Sequence, residues 1–360
     1  MRFSSEKEQT KIFRTVYAFG SFCDKIYGYM TLQPDGKILG YYHPNEARYE
    51  IRKGKLYFFH ENGYITSVLD YYPETNMFMG FVYNKKYPLF LAPVITLNQF
   101  NSRLEYPPIL INSIPKSGTY FLERALIEIG YNSHRLHLSG YNIVDDYRGI
   151  SDEEMHVDPE KVRIYLPVYL ITSLLKNGEL VVGHIESKEV IYEIKKQDIL
   201  LIYLVRNLRN VLVSLYRFKY NKVKPNDSIP NDYYWRKVTK DKERFKAFLL
   251  VYFEYDLSHI KNIASLICEE NEREKDNVII IRFEDLVNLK LGNEIKKKIS
   301  HIHRDLFKFI EIGLKKALFT KTSTFSGKIS NFEELWDDEV EEFFEISGLK
   351  KLNQLLGYEK

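Results

Sequence analysis

The pattern of hydrophobic and polar positions in the first hundred residues differs from the pattern in the rest of the chain. From about residue 12 to residue 100, short β-prone runs such as Lys55 to His60 and Tyr64 to Leu69 alternate with turn signals, and helical periodicity is scarce. The turn signals are Gln33 to Gly36, Arg52 to Lys55 and Glu61 to Gly63. Runs of this length joined by glycine-containing turns predict a small antiparallel β-domain built from hairpins.

From residue 109 onward, apolar runs alternate with helical patterns. We predict strands over 109–113, 180–185, 199–205 and 277–283, and helices over 119–129 and 211–220. Strands that are apolar on both faces and separated by helices indicate a parallel sheet covered on two sides. A polar, proline-containing linker precedes the first of these strands, so we predict an N-terminal β-rich accessory domain, residues 1–105, and an α/β domain, residues 106–360.

Three further segments of the second domain have a recognisable pattern. Residues 246–263 and 293–316 carry apolar positions at helical spacing and predict core-facing helices. The polar segment from Phe218 to Trp235 contains two prolines and predicts a mobile loop or lid. His134 and His137 follow the first predicted helix in a segment that could also approach a substrate, but we expect them to be loop histidines with a packing role.

Composition and charge exclude several classes of protein. The 360 residues are 44% hydrophobic and include 28 Tyr and 23 Phe, which is typical of a folded globular protein. A net charge of +3 gives no electrostatic footprint for nucleic acid. Cys23 and Cys268 are too few for a disulfide framework or a metal cluster, and we expect two buried thiols. No signal peptide or apolar run of spanning length is present, so we expect a cytoplasmic protein without a membrane span; nothing indicates its oligomeric state.

The junction between the strand at 109–113 and the following helix has the composition of an anion-binding loop. The first N–H groups of a helix have no partner within the helix and attract phosphate or sulfate. Gly118 lets the backbone come close, Lys116 contributes a charge, and Ser117 and Thr119 contribute hydroxyl donors. The spacing does not match the nucleoside triphosphate loop that ends in Gly-Lys-Ser or Gly-Lys-Thr.

Two segments resemble the sulfotransferases that use 3′-phosphoadenosine 5′-phosphosulfate (PAPS). Residues 115–119, Pro-Lys-Ser-Gly-Thr, are similar to the 5′-phosphosulfate loop of that family. Residues 200–207, followed by 211–218, are similar to its 3′-phosphate strand and helix, where the matching donors are Arg206 and Ser214. The resemblance covers residues 107–358 and implies a P-loop-like sulfotransferase fold with PAPS as donor and no metal.

The same resemblance implies roles for strand-end residues. His184 matches the catalytic histidine of the family and is predicted to accept the proton of the acceptor, since imidazole titrates near neutral pH. Glu186 is the alternative base. Lys116 is predicted to contact the sulfuryl and leaving groups. Because Lys116, His184 and Arg206 all lie at or just after strand ends, the topology of a parallel sheet predicts a shared site independently of the family.

Further positions are predicted to contact the nucleotide. Phe121 and Phe283 take places where relatives carry aromatic residues near adenine, and Tyr120 replaces a threonine of the loop. Near the C-terminus, Gly327 and Lys328 stand in a segment similar to the one that closes over the 3′-phosphate, although its Arg-Lys pair is missing.

The sequence therefore favours a sulfotransferase that moves a sulfuryl group from PAPS to a hydroxyl, and we expect the acceptor to be a saccharide or glycan precursor. A lipid, phenol or other alcohol stays open. Two other functions also stay open: a nucleotide-dependent kinase using the same anion loop, and an inactive protein that binds a nucleotide or a glycan.

Overall fold

The computed structural model describes residues 6–100, 104–271, 277–318 and 331–358. The chain divides into two compact units, residues 1–101 together with 166–175, and residues 102–165 together with 176–360. The segment 166–175 thus belongs to the first unit although it lies far along the chain.

Among the residues described for the first unit, eight strands form one antiparallel sheet. The strands are β1 (Thr15–Gly20), β2 (Ile26–Leu32), β3 (Ile38–Leu39), β4 (Arg48–Arg52), β5 (Lys55–Phe59), β6 (Ile65–Tyr72), β7 (Met77–Val82) and β8 (Pro88–Thr96). Their order across the sheet is β3-β2-β1-β8-β7-β6-β5-β4, so hairpins between chain neighbours account for every pairing except β1 with β8. The predicted antiparallel β-domain is confirmed.

The turns and the core of this unit follow from its sequence. Lys53 and Gly54, which join β4 to β5, both have positive φ, as a two-residue hairpin turn requires. Alternate strand residues bury an aromatic-rich core that includes Tyr17, Phe19, Phe58, Phe78 and Leu91.

The described residues of the second unit contain a seven-stranded sheet. Its strands are β9 (Ile109–Ser113), β10 (Asn132–Ser139), β11 (Ile143–Asp146), β12 (Arg163–Tyr165), β13 (Glu179–His184), β14 (Leu200–Val205) and β15 (Val278–Arg282). The order is β12-β11-β10-β13-β9-β14-β15. Strands β10, β13, β9, β14 and β15 pair in parallel, whereas β11 and β12 pair antiparallel. The sheet is therefore mixed, because the hairpin-like edge β10-β11-β12 adds to a run of parallel strands.

Helices connect and cover the strands. They are α1 (Glu6–Ile12) and α3 (Tyr169–Thr172) in the first unit, and in the second α2 (Thr119–Ile127), α4 (Lys188–Ile194), α5 (Leu208–Asn221), α6 (Asp232–Trp235), α7 (Asp241–Val251), α8 (Ser258–Asn271), α9 (Phe283–Val287), α10 (Asn293–Ile302), α11 (Leu306–Ala317), α12 (Asp338–Ile346) and α13 (Leu349–Leu355). Gly313 lets α11 approach α2 closely, because a Cβ there would collide with the carbonyl oxygen of Ala125. The core includes Ile111, Leu122 and Ile310.

Two predicted helices are interrupted. The stretch over 246–263 is split between α7 and α8 by a π-helical segment, Phe253–Leu257, in which Tyr255 has non-helical dihedral angles. The stretch over 293–316 is split into α10 and α11 at His303 to Asp305. Neither break contains the glycine or proline that would have predicted it.

The predicted loop from Phe218 to Trp235 is partly helical. Helix α5 continues to Asn221, and Asp232 and Trp235 are buried in α6, where the Trp235 Nε1–H donates to the Asp232 carboxylate at 2.6 Å. The end of this segment is therefore packed rather than an open lid.

Two residue-level expectations were wrong. His134 and His137 lie on the buried strand β10 rather than in a loop. The two thiols are not both buried, since Cys23 is exposed and Cys268 is only partly covered.

Within the described ranges, no helix is both long enough and apolar enough to span a bilayer.

Candidate functional site

The anion loop lies between β9 and α2, as predicted. Lys116 and Gly118 both have positive φ, 67° and 93°. Helix α2 begins directly after Gly118, so its first backbone N–H groups follow the loop at once, as in anion-binding helix N-termini. A Cβ on Gly118 would lie 2.5 Å from the ring of Phe283, so glycine is required there by both backbone and space. The Oγ of Ser117 is buried and has no hydrogen-bond partner among the described residues. Ser117 is itself fully buried and is not among the residues that line the cavity described below.

Lys116 is a cation held by an aromatic face. Its Nζ lies 3.9 Å from the ring centroid of Phe218. Burial, and then the positive charges of Arg206 and Lys222, lower the pKa of Lys116 to about 7. An anion bound at the loop would counter those charges and favour the protonated ammonium.

Arg206 follows β14 and reaches the same loop. It is 4% exposed, and its guanidinium donates to the carbonyl oxygen of Lys116 at 2.9 Å. Its Cζ lies 4.5 Å from the ring centroid of Phe283, and its Nε is buried without a partner in the described part of the chain. None of the ion pairs in the described part of the chain includes Arg206. A buried cation with an unused donor is suited to receive an anion.

A cavity of about 870 Å³ contains these groups. It is lined by Lys116, Gly118, Thr119, Arg206, Ser214 and His184 among others. The predicted residues from β9, β13, β14 and α5 therefore lie around one space, at the carboxyl ends of parallel strands. Phe121, Tyr120 and Phe283 also line it.

His184, at the end of β13, is fixed in one tautomer. Its Nδ1 lies 2.7 Å from the carbonyl oxygen of Ser113, and because a carbonyl only accepts, the hydrogen is on Nδ1. In the neutral ring, Nε2 then carries the lone pair that accepts a proton. Burial, followed by the neighbouring His137 and His259, holds the pKa of His184 well below its usual range, so the ring is neutral near pH 7.

The Ser113 side chain connects this histidine to the anion loop. Its Oγ lies 3.2 Å from His184 Nδ1 and 2.5 Å from the Oγ1 of Thr119. The hydroxyl of Thr119, which was predicted to contact the donor, is thus also a structural partner of β9. This contact couples the position of the loop to that of the histidine.

The far wall of the cavity consists of residues to which the sequence analysis assigned no catalytic or binding role. His137, Asp145, Tyr147, His156 and Arg163 come from β10 to β12 and the connection between them. The Arg163 Nε–H donates to Asp145 at 3.0 Å, and burial raises the pKa of Asp145. The signal available for His137 was its alternation with Leu136 and Leu138, which is typical of a strand.

Two predicted side chains are engaged with other residues of the chain. Glu186 is bonded to His259 at 2.8 Å and to Asn262 at 3.1 Å, and it is not part of the cavity lining. The hydroxyl of Tyr120 is bonded to His137 Nδ1 at 2.7 Å. Gly327 and Lys328 lie outside the described residues.

Comparisons with known proteins address the family. The family model described as "Sulfotransferase domain" matches residues 106–347, about two thirds of the chain. Among solved structures, mouse sulfotransferase SULT7A1 complexed with PAP is 16% identical with a TM-score of 0.40, over 70% of this chain and 89% of that one. Retinol dehydratase in complex with androsterone and inactive cofactor PAP is 16% identical with a TM-score of 0.32, over 68% and 80%. No curated protein matches the sequence. The family match confirms the resemblance inferred from the sequence, and the chain belongs to the sulfotransferase family.

Proposed function

We propose that this protein transfers a sulfuryl group from PAPS to a hydroxyl of an acceptor. The observation that carries the proposal is the meeting of two anion-binding groups in one cavity: the guanidinium of Arg206 is hydrogen-bonded to the backbone of Lys116 in the anion loop. A ligand with anionic groups at two ends, such as PAPS, fits a site with two groups of donors. The unpartnered Nε of Arg206, a residue that lines the cavity, is consistent with such a ligand.

In this proposal, each of the two groups of hydrogen-bond donors binds a different part of PAPS. The loop from Lys116 to Thr119 would hold the 5′-phosphosulfate, and Arg206 with Ser214 would hold the 3′-phosphate. Phe121 and Phe283 would border the adenine, with Gly327 and Lys328 as further contacts. We also propose that the parallel strands with this loop form the P-loop-like arrangement of the family.

The proposed chemistry is an in-line transfer. PAPS supplies the sulfuryl group and a phosphate leaving group. The acceptor oxygen would form its bond to sulfur as its proton passes to Nε2 of His184 and the bond from sulfur to the bridging phosphate oxygen breaks. The ammonium of Lys116 would stabilise the charge that develops on the leaving phosphate. The His184 tautomer set by Ser113 is the one this role requires.

We propose a saccharide or glycan precursor as the acceptor. The far wall combines the Asp145–Arg163 ion pair with the aromatic ring of Tyr147, and Tyr120 of α2 also lines the cavity. Charged groups of both signs can bind several hydroxyls, and aromatic faces stack on sugar rings. An apolar acceptor would displace water from that ion pair and offer it no further hydrogen bonds.

A melting experiment separates this function from a kinase. The spent donor PAP, added without Mg²⁺, is expected to raise the melting temperature of the protein. Stabilisation by ATP that appears only with Mg²⁺, and none by PAP, would favour a kinase instead. Stabilisation by PAP with no transfer of labelled sulfate to any sugar or alcohol in a broad panel would favour an inactive binding protein.

His184→Ala tests the catalytic step itself. Loss of the base is expected to lower kcat by roughly 10²- to 10⁴-fold, while PAP still binds near the wild-type affinity. Glu186→Gln is the matched control and is expected to keep most of the activity, because Glu186 is engaged with His259 and Asn262. Retained turnover in the His184 variant together with loss in the Glu186 variant would assign the base to Glu186.

A further inference from the structure

We propose that His137 donates a hydrogen bond that orients the acceptor hydroxyl against His184. This inference rests on the proposed function, and it assigns a role to a residue outside the anion loop and outside the donor-binding segments.

The two histidines lie side by side on neighbouring strands. Strand β10 pairs in parallel with β13, with His137 opposite Val182 and Ser139 opposite His184. The ring centroids of His137 and His184 are 4.5 Å apart and the rings are inclined at 64°. Both rings line the cavity. One small group between them and the donor could contact both.

The hydrogen on His137 can be placed from its partner. Nδ1 of His137 lies 2.7 Å from the hydroxyl of Tyr120, and that hydroxyl has no other hydrogen bond in the described part of the chain. When the Tyr120 hydroxyl donates to Nδ1, its hydrogen is satisfied, and the hydrogen of the neutral His137 ring lies on Nε2. Burial lowers the pKa of His137 to about 3, which keeps the ring neutral at physiological pH.

The two rings then present complementary atoms. His184 donates through Nδ1 to Ser113 and offers a lone pair at Nε2, whereas His137 accepts at Nδ1 and offers N–H at Nε2. Neither Nε2 atom has a hydrogen-bond partner in the described part of the chain. Neither belongs to the fully buried, unpartnered side-chain atoms, so both are accessible to a ligand in the cavity. One lone pair beside one donor fits a hydroxyl, which gives one hydrogen and accepts another.

This pairing has a consequence for the acceptor class. A hydroxyl that donates to His184 and accepts from His137 has its remaining lone pair directed away from both rings. An ammonium group has no lone pair and would leave the His137 N–H unsatisfied. The pair therefore favours transfer to oxygen over transfer to a protonated amine. It also explains the tyrosine at position 120, whose hydroxyl fixes the His137 tautomer and makes Tyr120 a positioning residue.

The experiment compares His137→Ala, His137→Gln and Tyr120→Phe with the wild type. The acceptor is the sugar or alcohol of the panel that gives the highest transfer of labelled sulfate, and PAP binding is measured by calorimetry. His137→Ala is expected to lower kcat by roughly 10- to 100-fold through misplacement of the acceptor, with the Kd for PAP changed less than about 3-fold. Gln places an N–H near the former Nε2 and is expected to recover most of kcat. Tyr120→Phe is expected to lower kcat by about 3- to 10-fold, the value of one hydrogen bond.

Several outcomes overturn the inference. His137→Ala at wild-type kcat would exclude an orienting role, and a parallel loss of PAP affinity would place His137 on the donor side. If His137→Gln folds, as judged by its melting temperature, but is as slow as His137→Ala, the ring serves packing only. Should His137→Ala fail to fold, Tyr120→Phe decides alone, since unchanged kcat there contradicts the tautomer assignment. Absence of transfer by the wild type would instead refute the proposed function.

Discussion

Replacing Arg206 with methionine is expected to abolish most donor binding while leaving the unliganded protein about as stable as before. The side chain is 4% exposed, yet none of the ion pairs in the described part of the chain includes it. Methionine keeps the apolar stem and removes the charge. The variant gives up one hydrogen bond to Lys116 and the contact with Phe283, but it also removes the desolvation penalty of a buried charge. We expect these terms to offset within about 1 kcal/mol of unfolding free energy.

The effect on binding is expected to be much larger. Charge-assisted hydrogen bonds contribute about 1.5 to 3 kcal/mol each, so the Kd for PAP should rise by roughly 10- to 150-fold. At a PAP concentration 100 times the wild-type Kd, the wild type gains about 2.7 kcal/mol of stability. At the same concentration Arg206→Met should gain only about 0.3 to 1.4 kcal/mol. Urea unfolding with and without PAP measures both quantities.

Arg209→Met is the matched control; Arg209 lies three residues after Arg206, in the first turn of α5. Arg209 donates to both carboxylate oxygens of Glu341, at 2.7 and 3.0 Å, and does not line the cavity. The bond to Arg209 is the main reason that the pKa of Glu341 is lowered to about 2. Its removal should cost about 1 to 3 kcal/mol of unfolding free energy and leave the Kd for PAP unchanged. If Arg206→Met loses as much stability as Arg209→Met and keeps full stabilisation by PAP, Arg206 is a structural residue and the reasoning fails.

Two further predictions concern the anion loop. Gly118→Ala is expected to be destabilised by about 1 to 3 kcal/mol in urea unfolding and to bind PAP more weakly, because the added Cβ meets Phe283. Gly63→Ala is the control, since Gly63 has a similar φ of 90° but no atom within 4 Å of the added Cβ. Equal losses of stability in the two variants would contradict the role of the Phe283 contact. PAP affinity should fall as pH rises through about 7, the pKa of Lys116, because an anion favours the charged ammonium. Calorimetry at pH 8 in two buffers of different ionisation enthalpy measures the protons taken up when PAP binds. The wild type should take up protons and Lys116→Met should take up none, and equal uptake by both would contradict the assignment of this proton to Lys116.

The sequence predicts those parts of the site that depend on local signals. The strand at 109–113 begins with three apolar residues, is buried throughout, and ends in a loop whose glycine, lysine and hydroxyl residues have a physical reason to be there. The adjacency of this loop and Arg206 follows from topology, since β9 and β14 pair in parallel and both end at one edge of the sheet. Local pattern and parallel pairing together place the donor side of the cavity.

The acceptor side could not be predicted in the same way. Strand β10 reads Asn-Ser-His-Arg-Leu-His-Leu-Ser, and only the alternation from Leu136 to Leu138 is typical of a strand. Its buried polar groups are satisfied by tertiary partners. His134, for example, is buried against Glu179 at 3.0 Å, and His137 is bonded to Tyr120. Those partners are distant in sequence, so no local rule indicates that these polar residues are buried. The break between α7 and α8 is similarly a result of packing rather than of a helix-breaking residue.

Lys116 and Arg206 are subject to the same conflict between stability and function. A carboxylate beside Lys116 or Arg206 would stabilise the unliganded fold, but it would also compete with an anionic ligand. The described structure places an aromatic face against each charge, Phe218 against Lys116 and Phe283 against Arg206, while Glu284 favours the charge of Arg206 without forming an ion pair with it. Such contacts contribute about 0.5 to 2 kcal/mol without neutralising the cation or occupying its hydrogen-bond donors. Replacing either phenylalanine by leucine should therefore weaken the positioning of the cation, whereas replacing it by a carboxylate would remove the anion site itself.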